Sequence, residues 1–464
     1  MDDSRIRNKK ISVIGAARSG VAVARLLQRH GAMVFVSDRE PAEKLSKSLA
    51  ELRASDIAYE TGNHSERVFD CSLMVLSPGV PSDAAVVLEA QRRRINIVSE
   101  IEVASWFCQA PIVAITGSNG KTTTTTLLGR IFSDAKKKHV VAGNIGTAFS
   151  NFVLELAATD TMVLEVSSFQ LDFIEKFRPK VSVILNITQN HMDRYEHSME
   201  KYAASKARIF KNQKQDDVLI YNADDEWTLK MIRQAHCKKI GFSTSKGLRE
   251  GAFVENEMLV TFINGHRSEI IAPLQISIKG KHNLQNAMAA ALAAGMMGVD
   301  SASIRSTLRN FKGVVHRQEL VREVNGIKYV NDSKATTVDA VWYALNAYDE
   351  PIVLILGGKD KGNDYSKIQE LVKKKVRAIV ATGASAEIIA KAFAEIVPVH
   401  RVETIGNEKP NVVSMEKVIQ TASSLAHRGD VVLLSPACTS FDWFEDYEER
   451  GNTFKQIVNG LMVE

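Results

Sequence analysis

The sequence predicts an α/β protein built as three successive domains. Short β-branched runs alternate with helical stretches along most of the chain, the alternation restarts twice, and the first restart leads through a glycine loop directly into a helix. A chain of 464 residues suits about three domains at roughly 150 residues each. The expected division is 1–110, 111–313 and 314–464.

In the first set, ISVIG begins at Ile11, MVFVSD at Met33, CSLMVLSPG at Cys71 and INIVSE at Ile95. The second opens with PIVAITG at Pro111 and continues through TMVLEVSS at Thr161 and VSVILNIT at Val181. GIKYVND, PIVLILGG, RAIVATG and DVVLLSPA form the third. This order predicts a Rossmann-like N-terminal domain, a central P-loop ATPase-like domain with a mostly parallel sheet, and a Rossmann-like C-terminal domain. Between Gly247 and Ile278 the rhythm changes to short segments and polar turns, which predicts an antiparallel insertion or edge.

Composition narrows the class. Apolar residues at 45% and charged residues at 24% exclude wholesale disorder and a disulfide-stapled scaffold. A net charge of +5 is too slight to announce a nucleic-acid or membrane surface, and neither partner is expected. The basic runs Arg92–Arg94, Lys136–Lys138 and Lys373–Lys375 each follow a helical stretch, where cations offset the negative end of the helix dipole. Cys71, Cys108, Cys237 and Cys438 stand far apart, without metal-site spacing, so a reducing, cytoplasmic setting is expected. The polar start MDDSRIRNKK passes directly into a strand and carries no signal-peptide pattern. The longest uncharged apolar stretch, Ala287–Val299, is shorter than the roughly 18–20 residues that span a bilayer and reads as a packed helix.

The sharpest chemical signal is PIVAITGSNGKTTTTTLLGRIF. Gly117 and Gly120 allow backbone N–H groups to close on phosphate oxygens, the following helix offers free N-terminal donors, Lys121 adds charge, and Thr122 can ligate Mg²⁺. The general P-loop pattern would place Gly at Ile115, so this is a variant framed by Gly117 and Gly120. On the next strands, Glu165 stands at one end and His191 with Asp193 just past another, where parallel strands converge on a ligand. Beside a phosphate loop they are candidate Mg²⁺ ligands. Lys206, in MEKYAASKARIF, lies on a predicted helix among alanines; partial burial there would leave some amine neutral, but on residues alone a surface lysine is the default.

In the first domain, Gly15-Ala-Ala-Arg-Ser-Gly20 follows a strand and Asp38 ends the next, an imitation of a dinucleotide fingerprint. Ala17 replaces the glycine that lets a pyrophosphate lie against the backbone, which disfavours NAD. A diphosphate docking at the helix start, helped by Arg18 and Ser19, remains compatible.

With GSNGKTTTT, LEVSSFQL, NITQNHMDRY, SKARIF, GKHNLQNAMAA, HRQE, NDSKATT and SPACTSFDWFEDYEERG in this order, the sequence resembles the Mur ligases of peptidoglycan synthesis along nearly its full length. GAARSG, SPGV, NDSKAT and SPACTSFDWF look most like the family's D-glutamate-adding branch. The resemblance implies that ATP phosphorylates the terminal carboxylate of UDP-N-acetylmuramoyl-L-alanine and that D-glutamate captures the acyl phosphate, releasing ADP and phosphate. By motif match it implies ATP contacts from Gly117, Ser118, Asn119, Gly120, Lys121, Thr122, Thr123, Asn283, Asn286, Arg317 and Asp332, with Lys334 near the reacting phosphoryl group. Thr122, Glu165, His191 and a carbamylated Lys206 would hold Mg²⁺. Arg18, Ser19, Asp38, Gly79 and Asn144 would line the UDP-substrate site, and Thr336, Lys361, Ser440 and Tyr447 the D-glutamate site, with Lys359 competing for the role of Lys361. A monomer acting on small molecules is expected. Rival readings are another Mur-type or folylpolyglutamate synthase-like ligase, a nucleotide-switched scaffold, and a nicotinamide dehydrogenase. The DNPR-type motif of the diamino-acid-adding siblings is absent.

Overall fold

The structure, a computed structural model, describes residues 5–462 other than 145, 191, 361 and 407. Two compact units make up the chain, Met1–Phe311 and Lys312–Glu464.

The first unit contains two sheets. Strands β1 (Lys10–Ile14), β2 (Met33–Asp38), β3 (Ala58–Thr61), β4 (Leu73–Leu76) and β5 (Asn96–Ser99) form a parallel sheet in the order β3-β2-β1-β4-β5. The order reverses between β1 and β4, so the loops after Ile14 and Leu76 diverge and leave a crevice at their carboxyl ends. The second sheet holds β6 (Ile112–Thr116), β7 (His139–Gly143), β8 (Thr161–Glu165), β9 (Val181–Ile184), β10 (Val218–Asn222), β11 (Lys238–Phe242), β12 (Gly251–Glu255), β13 (Met258–Ile263) and β14 (His266–Ile271). Its order is β14-β13-β12-β11-β10-β9-β6-β8-β7, with the switch beside β6. Every residue of β6 is buried, as a strand covered on both faces requires, which explains its unbroken apolar run. The β12–β14 edge is antiparallel, matching the change of rhythm after Gly247.

Two buried carboxylates tie these sheets together. Glu102 accepts backbone N–H bonds from Glu175, Lys176 and Phe177 at 3.0, 2.9 and 2.7 Å, and the Trp106 indole N–H at 2.7 Å. Glu100 accepts the Ser150 backbone N–H and hydroxyl at 2.8 and 2.6 Å; burial pushes its carboxyl above the usual range. The helix Glu100–Phe107 that carries both shares one continuous core with each sheet, including Val13, Val75, Ala114 and Leu164.

In the second unit, β15 (Glu319–Val324), β16 (Ile327–Asn331), β17 (Ile352–Gly357), β18 (Val376–Thr382), β19 (Val399–Arg401) and β20 (Val431–Leu434) form one sheet in the order β15-β16-β20-β17-β18-β19. Only the β15–β16 pair is antiparallel. Apolar clusters cover both faces, one centred on Leu354, Ile379 and Leu433 and the other on Ile355, Val380 and Val432. Among the described residues no helix is long and apolar enough to cross a membrane.

Candidate active site

The phosphate loop is built by strand end, glycine geometry and a clamp. Gly120 precedes the helix Lys121–Asp134 with φ +83°, a left-handed conformation, and a Cβ there would run into the Asn286 side chain. Asn186 fixes the loop from β9's side: its side chain accepts from the Asn119 N–H at 2.9 Å and donates to the Asn119 carbonyl at 3.2 Å, while its carbonyl accepts from Ser118 N–H at 2.9 Å. Ser118 Oγ donates to the Thr188 carbonyl at 2.8 Å and lies 3.1 Å from Tyr202 Oη. A helix opening with five threonines has weak intrinsic propensity, so packing must hold it. Leu127, Leu128, Ile131 and Phe132 are buried, as is the alanine run of the helix Lys281–Met296, from which Asn286 accepts the Thr124 hydroxyl at 3.2 Å.

Two lysines converge on one carbonyl. Lys121 Nζ donates to Gly117 O at 2.9 Å and to Ser118 O at 3.0 Å, and Lys206 Nζ donates to the same Gly117 O at 2.9 Å. Lys206 lies on the helix Met199–Ala207, not on its surface but 1% exposed, with its Nζ 4.6 Å from the Tyr202 ring centroid. Burial, and secondarily the Lys121 charge, push its amine well below the ordinary lysine range; Asp172 opposes them. Such an amine is available to add CO₂. Asp172, itself pushed up by burial, accepts the Tyr195 hydroxyl at 3.1 Å.

Glu165 ends β8, paired with Ile115 of β6, and is buried. Asn144 Nδ2 donates to its Oε1 at 3.1 Å, whereas its buried Oε2 has no hydrogen-bond partner. An orphaned carboxylate oxygen beside a phosphate loop suits a hard divalent cation, which takes few protein carboxylates and completes its shell with phosphate and water. No cluster of three His, Cys, Asp or Glu that could hold a metal exists among the described residues. Thr122 and Thr123 are buried at the start of the loop helix. His191 and the side chain of Asp193 lie outside the described residues. Asn283 is half-buried one turn before Asn286; it accepts the Asn286 amide at 3.2 Å and donates to Lys279 O at 2.8 Å.

At the carboxyl end of the first sheet, Gly15 has φ +94° and Gly20 packs against its carbonyl. Asp38 accepts the Ala16 and Glu40 N–H groups at 2.6 and 2.8 Å. Ser19 is half-buried, Gly79 is exposed with open space beside it, and exposed Arg18 donates to the Gly146 carbonyl at 2.6 Å.

In the second unit, parallel neighbours β16 and β20 pair Asn331 with Leu434, so the 332–336 and 435–440 turns leave one edge side by side. Buried Asp332 accepts from Ser435 Oγ at 2.8 Å and Gln318 N–H at 3.2 Å; burial raises its pKa to about 6, against the pull of Arg317. Lys334 Nζ stands 5.4 Å from the Tyr447 ring, Thr336 is half-buried and Ser440 is buried. Lys359 is exposed and its N–H bonds Thr439 O at 2.9 Å, which brings the Gly357–Lys359 turn alongside; Lys361 lies outside the described residues. Arg450, which motif reading passed over, binds the Ser333 hydroxyl and carbonyl at 2.9 and 2.8 Å and the Cys438 carbonyl at 3.1 Å, locking both turns together. Asn186, Tyr202 and Asp172 were likewise not singled out; the signal was their place in NITQNH, KYAAS and QLDF beside the motifs that were.

Comparison with known proteins finds matches along three successive segments of the chain. Residues 10–86 match the MurD N-terminal domain, residues 115–294 the Mur ligase middle domain, and residues 316–438 the Mur ligase glutamate ligase domain. The UDP-N-acetylmuramoylalanine--D-glutamate ligase of Salinibacter ruber is 45% identical, with all of both chains covered. That of Chloroherpeton thalassium is also 45% identical, covering 99% of this chain and 100% of its own. The fold is shared with the UDP-N-acetylmuramate-alanine ligase MurC of Thermotoga maritima, at TM-score 0.59 and 20% identity over 98% of this chain and 100% of that one. It is also shared with FolC of E. coli, at TM-score 0.56 and 16% identity over 78% of this chain and 92% of that one. With a phosphate loop, a bare carboxylate and a buried lysine arranged on the middle domain, and all three domains matched in order, the chain belongs to the Mur ligase family.

Proposed function

We propose that this chain is an ATP-dependent ligase that joins D-glutamate to UDP-N-acetylmuramoyl-L-alanine, a step of peptidoglycan precursor synthesis. The observation that carries the proposal is 45% identity to a D-glutamate ligase over the whole of both chains. The domains are taken as 1–110 for the UDP substrate, 111–313 for ATP and 314–464 for the amino acid.

A carboxylate is a poor electrophile, being anionic and without a leaving group; conversion to an acyl phosphate removes both defects before an amine attacks. Phosphate oxygens and the attacking carboxylate repel, so cations must stand between them. Lys121, now folded onto two loop carbonyls, is the group we assign to the transferring phosphate. Bound Mg²⁺ would neutralise phosphate charge and polarise the reacting phosphoryl group. Its protein ligands would be Thr122, Glu165 through the bare Oε2, His191, and Lys206 after its neutral amine adds CO₂ and loses a proton to become a carbamate. That addition would place an anion beside Lys121. Asn283, Asn286, Arg317 and Asp332 are assigned to the nucleotide, and Lys334 to the phosphoryl group. Arg18, Ser19, Asp38, Gly79 and Asn144 are assigned to the UDP-sugar, and Thr336, Lys361, Ser440 and Tyr447 to D-glutamate. We place the enzyme in the cytoplasm as a monomer; its described cysteines are free, as a reducing compartment keeps them.

The test is phosphate release from ATP. Release should require the UDP-substrate and D-glutamate together; an equal rate with either omitted would refute the ligase assignment.

A further inference from the structure

The loop after β7 connects two sites that the family motifs treat separately. Asn144 holds one end against Glu165, its Nδ2 donating to Oε1 at 3.1 Å and its backbone N–H to the Glu165 carbonyl at 2.9 Å. Two residues on, the Gly146 carbonyl accepts Arg18 Nη1 at 2.6 Å. Four residues further, Ser150 is fixed by buried Glu100 through its N–H and hydroxyl. The anchors of Gly146 and Ser150, Arg18 and Glu100, belong to the first sheet's domain, and that of Asn144 is the carboxylate assigned to the metal. Glu100 and Glu102 keep the two sheets in one frame, so displacement of Arg18 is felt by the loop, not absorbed by domain motion.

We propose that Arg18 is a positioning residue that couples occupancy of the UDP-substrate site to the divalent-metal carboxylate Glu165, through Gly146 and Asn144. A guanidinium carries five N–H donors in a rigid fork, so Arg18 can hold the Gly146 carbonyl with one and a diphosphate with others. An anion at the helix start immobilises the guanidinium, the guanidinium immobilises the loop, and Asn144 then keeps Oε1 engaged and Oε2 free for the metal. Coupling between sites is reciprocal, so metal must tighten the UDP-substrate by the same factor. This inference rests on the assignment of Glu165 as a metal ligand and adds to it a route of control.

The experiment uses the full chain, Mn²⁺ as probe and a non-hydrolysable ATP analogue, with bound Mn²⁺ read by electron spin resonance. Saturating UDP-N-acetylmuramoyl-L-alanine, verified by calorimetry, should tighten Mn²⁺ about fivefold or more, at the lower end of ordinary coupling. Arg18→Ala and Asn144→Ala should each reduce that factor to within about twofold of unity, with thermal melting unchanged for the exposed Arg18. Arg18→Lys, keeping the charge but not the planar fork, should retain an intermediate factor. The Arg18→Ala/Asn144→Ala double variant should lose no more than either single change, as members of one linkage do. A wild-type factor near unity, an Arg18→Ala variant with the full factor, or a double variant that loses the product of both would overturn the coupling. Undiminished Mn²⁺ affinity in Glu165→Gln would instead overturn the metal assignment itself.

Discussion

Replacing Lys206 separates charge from shape at the phosphate loop. Lys121 and Lys206 each donate to Gly117 O at 2.9 Å, so their nitrogens lie no more than twice that distance apart. Two like unit charges at that separation repel by about 3 kcal/mol at an effective dielectric near 20, and opposite charges attract by as much. A neutral side chain therefore forfeits about 3 kcal/mol relative to a carbamate, and a permanent cation about 6 kcal/mol. With about 1.4 kcal/mol per decade, Lys206→Met should lower kcat/KM on the order of 100-fold and Lys206→Arg on the order of 10⁴-fold. The methionine change should leave thermal melting within a few degrees, because an apolar stem suits the buried site against the Tyr202 ring, whereas the arginine change buries a cation beside Lys121 and should lower it. The assay is phosphate release at saturating bicarbonate with both cosubstrates, accompanied by melting curves. An arginine variant as active as the methionine variant, at equal folded fraction, would refute the charge argument.

Three further outcomes follow from named contacts. Gly120→Ala forces a side chain into a left-handed backbone and into Asn286; strain of about 1–2 kcal/mol should raise the KM for ATP about tenfold or more, and adding Asn286→Ala should not restore it fully because the backbone strain remains. Glu102→Ala removes the shared acceptor of three backbone N–H groups, of which that of Phe177 is buried, and should cost about 1–3 kcal/mol, lowering the melting temperature by a few degrees, with Glu102→Gln recovering part of it. Asp332 has a folded-state pKa of about 6, above its unfolded value, so the native state binds the extra proton between about pH 4 and 6 and stability contributed by this group falls as pH rises through that window. Denaturation of Asp332→Asn across pH 4 to 8 should lack that component and gain relative to wild type above pH 6; parallel pH profiles would contradict the raised pKa.

The phosphate loop was legible because its chemistry is local: a strand, two glycines, a lysine and a threonine in consecutive positions dictate the turn and the helix that follows. Glu165 was legible as a strand-end carboxylate, and the antiparallel edge after Gly247 as a break in rhythm. Lys206 was not. On its residues alone it reads as a surface lysine, and tertiary burial, with Gly117 reached across 89 residues, is what pushes its amine well below the ordinary lysine range. Glu100 and Glu102 look like acids favouring a helix N-terminus, whereas their partners lie 50 and 73–75 residues away. Arg450 meets Ser333 across 117 residues, a pairing that no periodicity encodes.

The route through an activated acid is tested most directly by following oxygen. If the L-alanyl carboxylate of the UDP-substrate is labelled with oxygen-18, its oxygen attacks phosphorus and leaves with phosphate when D-glutamate forms the amide. Released phosphate should then carry one labelled oxygen per fully labelled carboxylate turned over. Unlabelled phosphate, at full yield of the D-glutamyl product, would contradict the proposed chemistry.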